Sequence, residues 1–208
     1  MNRGQIKTRI SKNLADAGVF FSDNALNDSL QDAYNEVASR ARCIIKSATL
    51  AQLANRPYYD FISLGVTDYL ATIGVFNNET QFWLRDDISL RDFDRLRRNW
   101  ELWTGSPQFW APHSLRYIAV APNNAVVTTQ TFTLWYWATA PTFTLDTNTP
   151  LIATDKQNLL ENYACMDLLG DAKEYTKASI YLAQYEEDLE EYKKRCVNLA
   201  AADLLQRV

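Results

Sequence analysis

The run 175–199 limits what this chain can fold into more than any other stretch. Its apolar positions, Tyr175, Ala178, Leu182, Tyr185, Leu189, Tyr192, Cys196 and Leu199, stand alternately three and four residues apart. That spacing lays side chains along one helical seam. Between them lie Lys177, Gln184, Glu186, Glu187, Asp188, Glu190, Glu191, Lys193 and Lys194, and neither Gly nor Pro interrupts the run. The filling residues are good helix formers. The pattern predicts a helix from about Asp171 to about Leu205, roughly 50 Å long at 1.5 Å per residue. An element of that length spans a small domain, so the other segments must pack along it. The seam suits a core helix; a self-associating coiled coil would call for more Leu and Ile on it.

The chain has 208 residues, 47% of them hydrophobic and 22% charged, which suits one domain or one domain with an inserted lobe. A net charge of −4 gives no global attraction to nucleic acid or acidic membranes. The opening Met1-Asn2-Arg3-Gly4-Gln5-Ile6-Lys7 lacks the apolar block of a signal peptide. The uncharged stretch 117–145 is broken by Pro122, Asn123, Asn124 and Pro141 and is rich in Thr, so it predicts a strand pair rather than a membrane span. Cys43, Cys165 and Cys196 are odd in number and far apart, as expected of small buried residues in a reducing compartment. The expectation is a soluble chain, intracellular when made.

Taken in order, Ile6, Ile10, Leu14 and Ala17 predict a first helix ending at Gly18. Ser22 is placed to cap a second, with Leu26, Leu30, Ala33, Val37 and Ala41 on its inner face. The period then changes. The stretch 45–53 alternates, Asn55-Arg56-Pro57 turns, and 58–61 follows, as a hairpin or as two successive short strands. A strand over 68–76 turns at Asn77-Asn78 and returns over 80–84. Ser89 caps a short helix with Leu90, Phe93, Leu96 and Trp100 inside and Arg91, Asp92, Asp94, Arg95, Arg97 and Arg98 outside. A late hairpin is expected from 115–120 and 125–138, turning at 121–124, with Phe132, Leu134 and Tyr136 on one face and Trp135 and Trp137 on the other. Thr154 is expected to cap a helix holding Leu159, Leu160, Tyr163, Ala164 and Leu168, which bends at Gly170-Asp171 into the long one. The fold class expected is therefore α+β: a discontinuous helical bundle of two N-terminal and two C-terminal helices, the last one long, with an inserted β-rich lobe. The boundaries expected are 1–44 for the first helices, 45–150 for the lobe, and 151–208 for the last helices and an extended tail.

Little in the sequence carries chemistry. His113, the sole histidine, sits in a loop context without a partner that would make it a base. There is no Gly-x-Ser-x-Gly and no phosphate-cradling glycine loop. The pairs Asp86-Asp87 and Glu186-Glu187 are adjacent and so point to different sides. No catalytic residue, cofactor site or metal site is predicted. What stands out is the aromatic density, with six tryptophans, a residue type over-represented at interfaces. Trp100 and Trp135 suit the lobe's core; Trp103, Phe109 and Trp110 flank a Gly/Pro loop and are the candidates for a subunit or tail contact.

The order of pieces resembles the head-to-tail adaptor (connector) family of tailed bacteriophages. An amphipathic helix precedes Phe21-Ser22-Asp23-Asn24-Ala25-Leu26, and Glu36-Val37-Ala38-Ser39-Arg40-Ala41-Arg42-Cys43 leads into a strand. Tyr59-Asp60 precedes a short apolar stretch, and Ser89-Leu90-Arg91-Asp92-Phe93-Asp94 comes before Thr104-Gly105-Ser106-Pro107. Leu115-Arg116-Tyr117 with Ala121-Pro122, and Leu134-Trp135-Tyr136 with Ala140-Pro141, mark the late strands. Tyr163-Ala164-Cys165, Leu169-Gly170-Asp171 and the long helix close the chain. The resemblance implies a structural protein of the virion, at the head-tail junction and made in the host cytoplasm. It implies a homo-oligomeric ring, typically twelve-fold, on the portal protein, with tail or nozzle proteins docking on it, DNA passing through its channel without specific binding, and no membrane.

Within that reading, Glu186, Glu187, Asp188, Glu190 and Glu191 form either an acidic wall that repels DNA phosphate along the channel or an exposed bundle face. The apolar end, with Val197, Leu199, Leu204 and Leu205, is the candidate portal-binding segment, frayed in the free subunit and ordered on docking. Two other readings stay open: a tail-completion or neck protein docking on another adaptor, and a small nucleic-acid-binding module using Arg91, Arg95, Arg97 and Arg98 with Trp100 and Trp103.

Overall fold

The computed structural model describes residues 1–16, 18–87, 89–114, 116–123 and 131–205, without the side chains of 16, 64, 96 and 199–205. The expected positions Ala17, Leu115, Asn124 and Ala125 lie outside the described residues. In chain order the elements are α1 (Arg3–Asp16), α2 (Asp23–Ala41), β1 (Ile45–Ala51), β2 (Tyr58–Asp60), β3 (Tyr69–Asn77) and β4 (Phe82–Trp83). They continue with α3 (Leu90–Leu96), β5 (Phe109–Pro112), β6 (Tyr117–Ala121), β7 (Thr131–Ala138), α4 (Asn158–Asp171) and α5 (Tyr175–Leu205). Five helices and seven strands in two sheets, 45% helix and 22% strand among the described residues, make this an α+β fold. By contact the chain divides into two compact units, Met1–Ile44 with Thr139–Val208, and Ile45–Ala138.

In the helical unit, α4 packs along α5 and against α1 and α2. Ile6, Ile10 and Leu14 of α1 are fully buried, as their spacing requires. Ser22 caps α2, its Oγ accepting from Ala25 N at 3.3 Å, and Arg42 in the left-handed region closes the helix. The start of α4 differs from expectation. Thr154 makes no cap; a 3-10 turn, Thr154–Lys156, feeds into the helix, and Leu160 N donates to Gln157 O at 3.2 Å. The tighter turn satisfies donors that a cap would otherwise have taken.

The segment 139–150, expected in the lobe, belongs to the helical unit. Its hydrogen bonds explain why. Arg3 N donates to Asn148 O at 2.8 Å and Gly4 N to Asp146 O at 2.9 Å, so this segment's carbonyls satisfy the first donors of α1. Phe143 stacks on Tyr34 at 4.9 Å, and Leu151 N donates to the Tyr34 hydroxyl at 2.7 Å.

In the β unit, one sheet has the order β1-β7-β3-β4 and the other β2-β6-β5, all neighbours antiparallel. One expected pairing is corrected. β6 and β7 do not form a hairpin: β6 lies between β2 and β5, β7 between β1 and β3. β1 and β2 fall in different sheets, so of the two readings of 45–61 the successive strands hold and the hairpin does not. Alternation tells a strand which face is inside and not which strand is its neighbour. In β7 the alternation holds, with Phe132, Leu134, Tyr136 and Ala138 buried and the residues between them half-buried. Tyr59 of β2 meets Phe132 of β7 edge-on at 5.6 Å, joining the two sheets. Ser89 caps α3 in a full capping box with Asp92.

β3 and β4 approach closely at Gly74, where the Trp83 ring lies over the backbone. A Cβ at Gly74 would lie 2.9 Å from Trp83 Cζ3, whereas one at Gly170, in α4, would meet nothing within 4 Å. Gly74→Ala is therefore expected to cost about 1–3 kcal/mol by overpacking, and Gly170→Ala to gain about 0.5–1 kcal/mol from helix propensity. Thermal melts of the two variants beside the parent test this; equal melting of Gly74→Ala and parent would show that Trp83 gives way freely.

Candidate functional site

The acidic run on α5 does not form one continuous face. At 3.6 residues per turn Glu187, Glu190 and Glu191 point outward, with Glu186 and Asp188 on opposite flanks. Glu186 takes the Arg40 guanidinium of α2 on both oxygens, at 2.7 and 2.8 Å. Arg40 also reaches Glu36 at 3.7 Å and lies over the Tyr185 ring, 5.7 Å from its centroid. This two-pronged bond holds the Glu186 carboxyl below its ordinary range. Asp188 accepts from Asn158 Nδ2 at 2.6 Å and faces Lys156 Nζ at 3.5 Å; Lys156 also pairs with Glu191. Glu190 pairs with Lys193 at 2.6 Å. Glu187 alone of the five has no ion-pair partner among the described residues.

The seam of α5 is covered over only part of its length. Tyr185, Leu189, Tyr192 and Cys196 are buried, while Tyr175 and Leu182 are 68% and 43% exposed. Past the Arg195–Asp155 pair at 2.5 Å the helix continues to Leu205, so the end expected to fray is helical in the free chain. Val197 there is 60% exposed. The side chains of Leu199, Leu204 and Leu205 lie outside the described residues.

Of the aromatic trio, Trp110 is a core residue. It lies in β5, a strand not expected from the sequence, and is only 5% exposed. Trp103 and Phe109 are half-buried against a cluster of Phe93, Trp100, Ala111, Ala119 and Ala121. Leu102, beside them, is 78% exposed. Arg97 lies over the Trp103 ring at 5.5 Å.

One feature escaped the sequence reading. Between α2 and α4 runs a groove of about 410 Å³ lined by Asp32, Asn35, Glu36, Ser39, Thr139, Tyr163 and Asp167. The Tyr163 hydroxyl is pushed up by burial and then by Glu36, Asp167 and Asp32. The signal was the four-residue spacing of Asp28, Asp32 and Glu36, which stacks like charges on one helix face.

His113 is exposed, with its ring against Tyr58 at 4.8 Å and Tyr117 at 6.3 Å. Burial pushes the thiol of Cys43 up to about 12 and that of Cys165 to about 11, so both stay protonated near neutrality. Among the described residues no three His, Cys, Asp or Glu side chains could together hold a metal ion, and no helix is long and apolar enough to cross a membrane. The prominent surfaces are thus the partly exposed seam of α5, a groove and charged faces. Over residues 1–205 the chain matches the family described as SU10 adaptor protein. The chain belongs to that family. It is a family of phage head-to-tail adaptors, and this chain is a phage structural adaptor. No curated protein matches the chain.

The adaptor's Arg40–Glu186 contact gives a pH-dependent contribution to stability. Because the Glu186 carboxyl is depressed in the folded state, the contribution is complete above the ordinary glutamate value of 4.5 and is lost as pH falls through the folded value. Arg40→Ala should lower stability by about 1 kcal/mol at pH 7, the upper end for a part-exposed pair, and flatten the acid limb of the melting-temperature profile. An unchanged acid limb would show that the pair contributes nothing.

Proposed function

We propose that this adaptor forms a ring joining the portal of the phage head to the tail and extending the DNA channel. The family match over residues 1–205 carries the reading, and the continuation of α5 as helix beyond Arg195 supports it. A helix end with Val197 exposed and an apolar sequence running to Leu205 suits insertion into a groove of a partner. Val197, Leu199, Leu204 and Leu205 are the residues assigned to the portal. The outward stripe of Glu187, Glu190 and Glu191 is assigned to the channel. With its partners Lys156 and Lys193 it is close to neutral with a small acidic excess, so DNA phosphate would slide past without adhering. Trp103 and Phe109, with the exposed Leu102 beside them, are the candidates for a tail-side contact.

Light scattering and negative-stain imaging of the adaptor, alone and mixed with its portal, test the reading; a ring appearing on the portal is expected. Deleting 197–208 should abolish docking while leaving the helical signal and melting temperature within a few degrees of the parent. Undiminished docking by the deletion variant would remove the C-terminal assignment, and indifference of the full chain to the portal would remove the ring.

A further inference from the structure

We infer that neighbouring copies in the ring meet through opposite charge, the arginines of α3 and of the turn that follows it on one copy (Arg91 and Arg95, then Arg97 and Arg98) against the α2–α4 groove of the next. This rests on the ring reading above. On the groove side, Asp32, Glu36 and Asp167 surround Tyr163, and Asp28 and Asp171 continue the two rows by one helical turn. Of these, only Glu36 has a basic partner within ion-pair distance among the described residues, the shared Arg40. Stacked like charges on a helix cost a few tenths of a kcal/mol per pair. A neighbour's guanidinium would turn that cost into an attraction.

On the other side, Arg91, Arg95, Arg97 and Arg98 are all exposed. Two acids are interleaved, so the patch carries a net excess of two positive charges: Asp94 is exposed, and Asp92 is largely engaged within its own helix, accepting from Ser89 N at 3.2 Å as the capping-box partner and meeting Arg95 at 3.4 Å. Arg91, Arg97 and Arg98 have no carboxylate at ion-pair distance among the described residues. Arginine matches carboxylates in a planar, two-pronged geometry, as Arg40 does with Glu186.

The choice of a second copy follows from this pairing. One chain carries two different, complementary patches, the groove on the helical unit and the arginines on the β unit. A patch that met its own copy across a two-fold axis would be repelled, whereas two unlike patches make a head-to-tail contact, which closes into rings.

The test uses two full-length variants, a groove reversal (Asp32→Lys with Asp167→Lys) and a face reversal (Arg91→Glu with Arg98→Glu). Each is mixed with the portal and scored by imaging and sedimentation, with melting curves as a control on folding. Each alone should need roughly tenfold or more higher concentration than the parent for half-complete rings, equivalent to about 1.4 kcal/mol or more. An equimolar mixture should recover assembly, because only unlike neighbours then present opposite charges. If a reversal melts early, the neutral pairs Asp32→Asn with Asp167→Asn, and Arg91→Gln with Arg98→Gln, should give a smaller loss of the same sign. Normal rings from either reversal, or a mixture no better than its components, would overturn the pairing alone. Loss of DNA retention by the face reversal with rings intact would overturn it in favour of nucleic acid. No ring from the parent would overturn the ring reading and the pairing together.

Discussion

Burial of the α5 seam from Tyr185 to Cys196 is the contact on which the helical unit depends. The chain leaves this unit at Ile44 and returns at Thr139, so α1 and α2 must be joined to α4 and α5 by packing alone. α4 supplies a face that is buried on nearly every inward position, including Leu159, Leu160, Ala164, Cys165 and Leu168, and it touches all three other helices. Each such aliphatic side chain contributes about 1.5–3 kcal/mol on burial, far more than any surface ion pair. The polar contacts refine this rather than drive it. The Tyr34 and Tyr192 hydroxyls accept from Leu151 N at 2.7 Å and Ala153 N at 3.3 Å, which pins the returning segment at two points. Both phenols are pushed up in pKa, chiefly by burial, so they remain neutral and serve as acceptors without a desolvated charge.

The same packing explains which charges are matched and which are not. Where α5 lies against α2 and the start of α4, its carboxylates have cations within reach: Arg40 for Glu186, and Lys156 for Asp188 and Glu191. Where α2 and α4 run side by side, the residues flanking their contact are acidic on both helices, and no lysine or arginine is placed between Asp32 and Asp167. Sign of charge thus follows helix pairing. The run that looks most acidic in sequence is largely neutralised in the fold, and the more dispersed aspartates of α2 and α4 form the more strongly acidic surface.

Much of the fold was legible because helices declare themselves locally. The inner residues of α1 and α2, the caps at Ser22 and Ser89, and the alternation of β7 depend on spacing within a few residues, and each stands as the spacing requires. What was not legible depends on partners distant in the chain. The late strands read as a hairpin, yet β7 finds β1, with Ile45 opposite Trp137, and β3. Trp110 read as a loop aromatic because four residues after a Gly/Pro turn carry too little pattern to reveal a strand; its burial comes from pairing with Val120. The acidic groove was invisible for the same reason. Asp32 and Glu36 are separated from Asp167 by most of the chain, and only the packing of α2 on α4 brings them to one place.

On the proposed ring reading, the unmatched surfaces bear on when neighbouring copies would assemble. A hydrophobic ring contact would be attractive in any orientation, since burial of apolar area is not directional. A contact made of like charges on one patch and opposite charges on another is attractive in one relative orientation and repulsive when a patch meets its own copy. Exposed charges some distance apart are also screened over roughly 8–10 Å at physiological salt, so pairwise attraction between free subunits is weak. Weak contacts become decisive once subunits are held side by side, because binding to a common platform raises their effective concentration to the millimolar range. On the proposed ring reading, an apolar helix end that holds the platform, combined with weak, directional charge contacts between neighbours, would give a ring that closes on its template and not in solution.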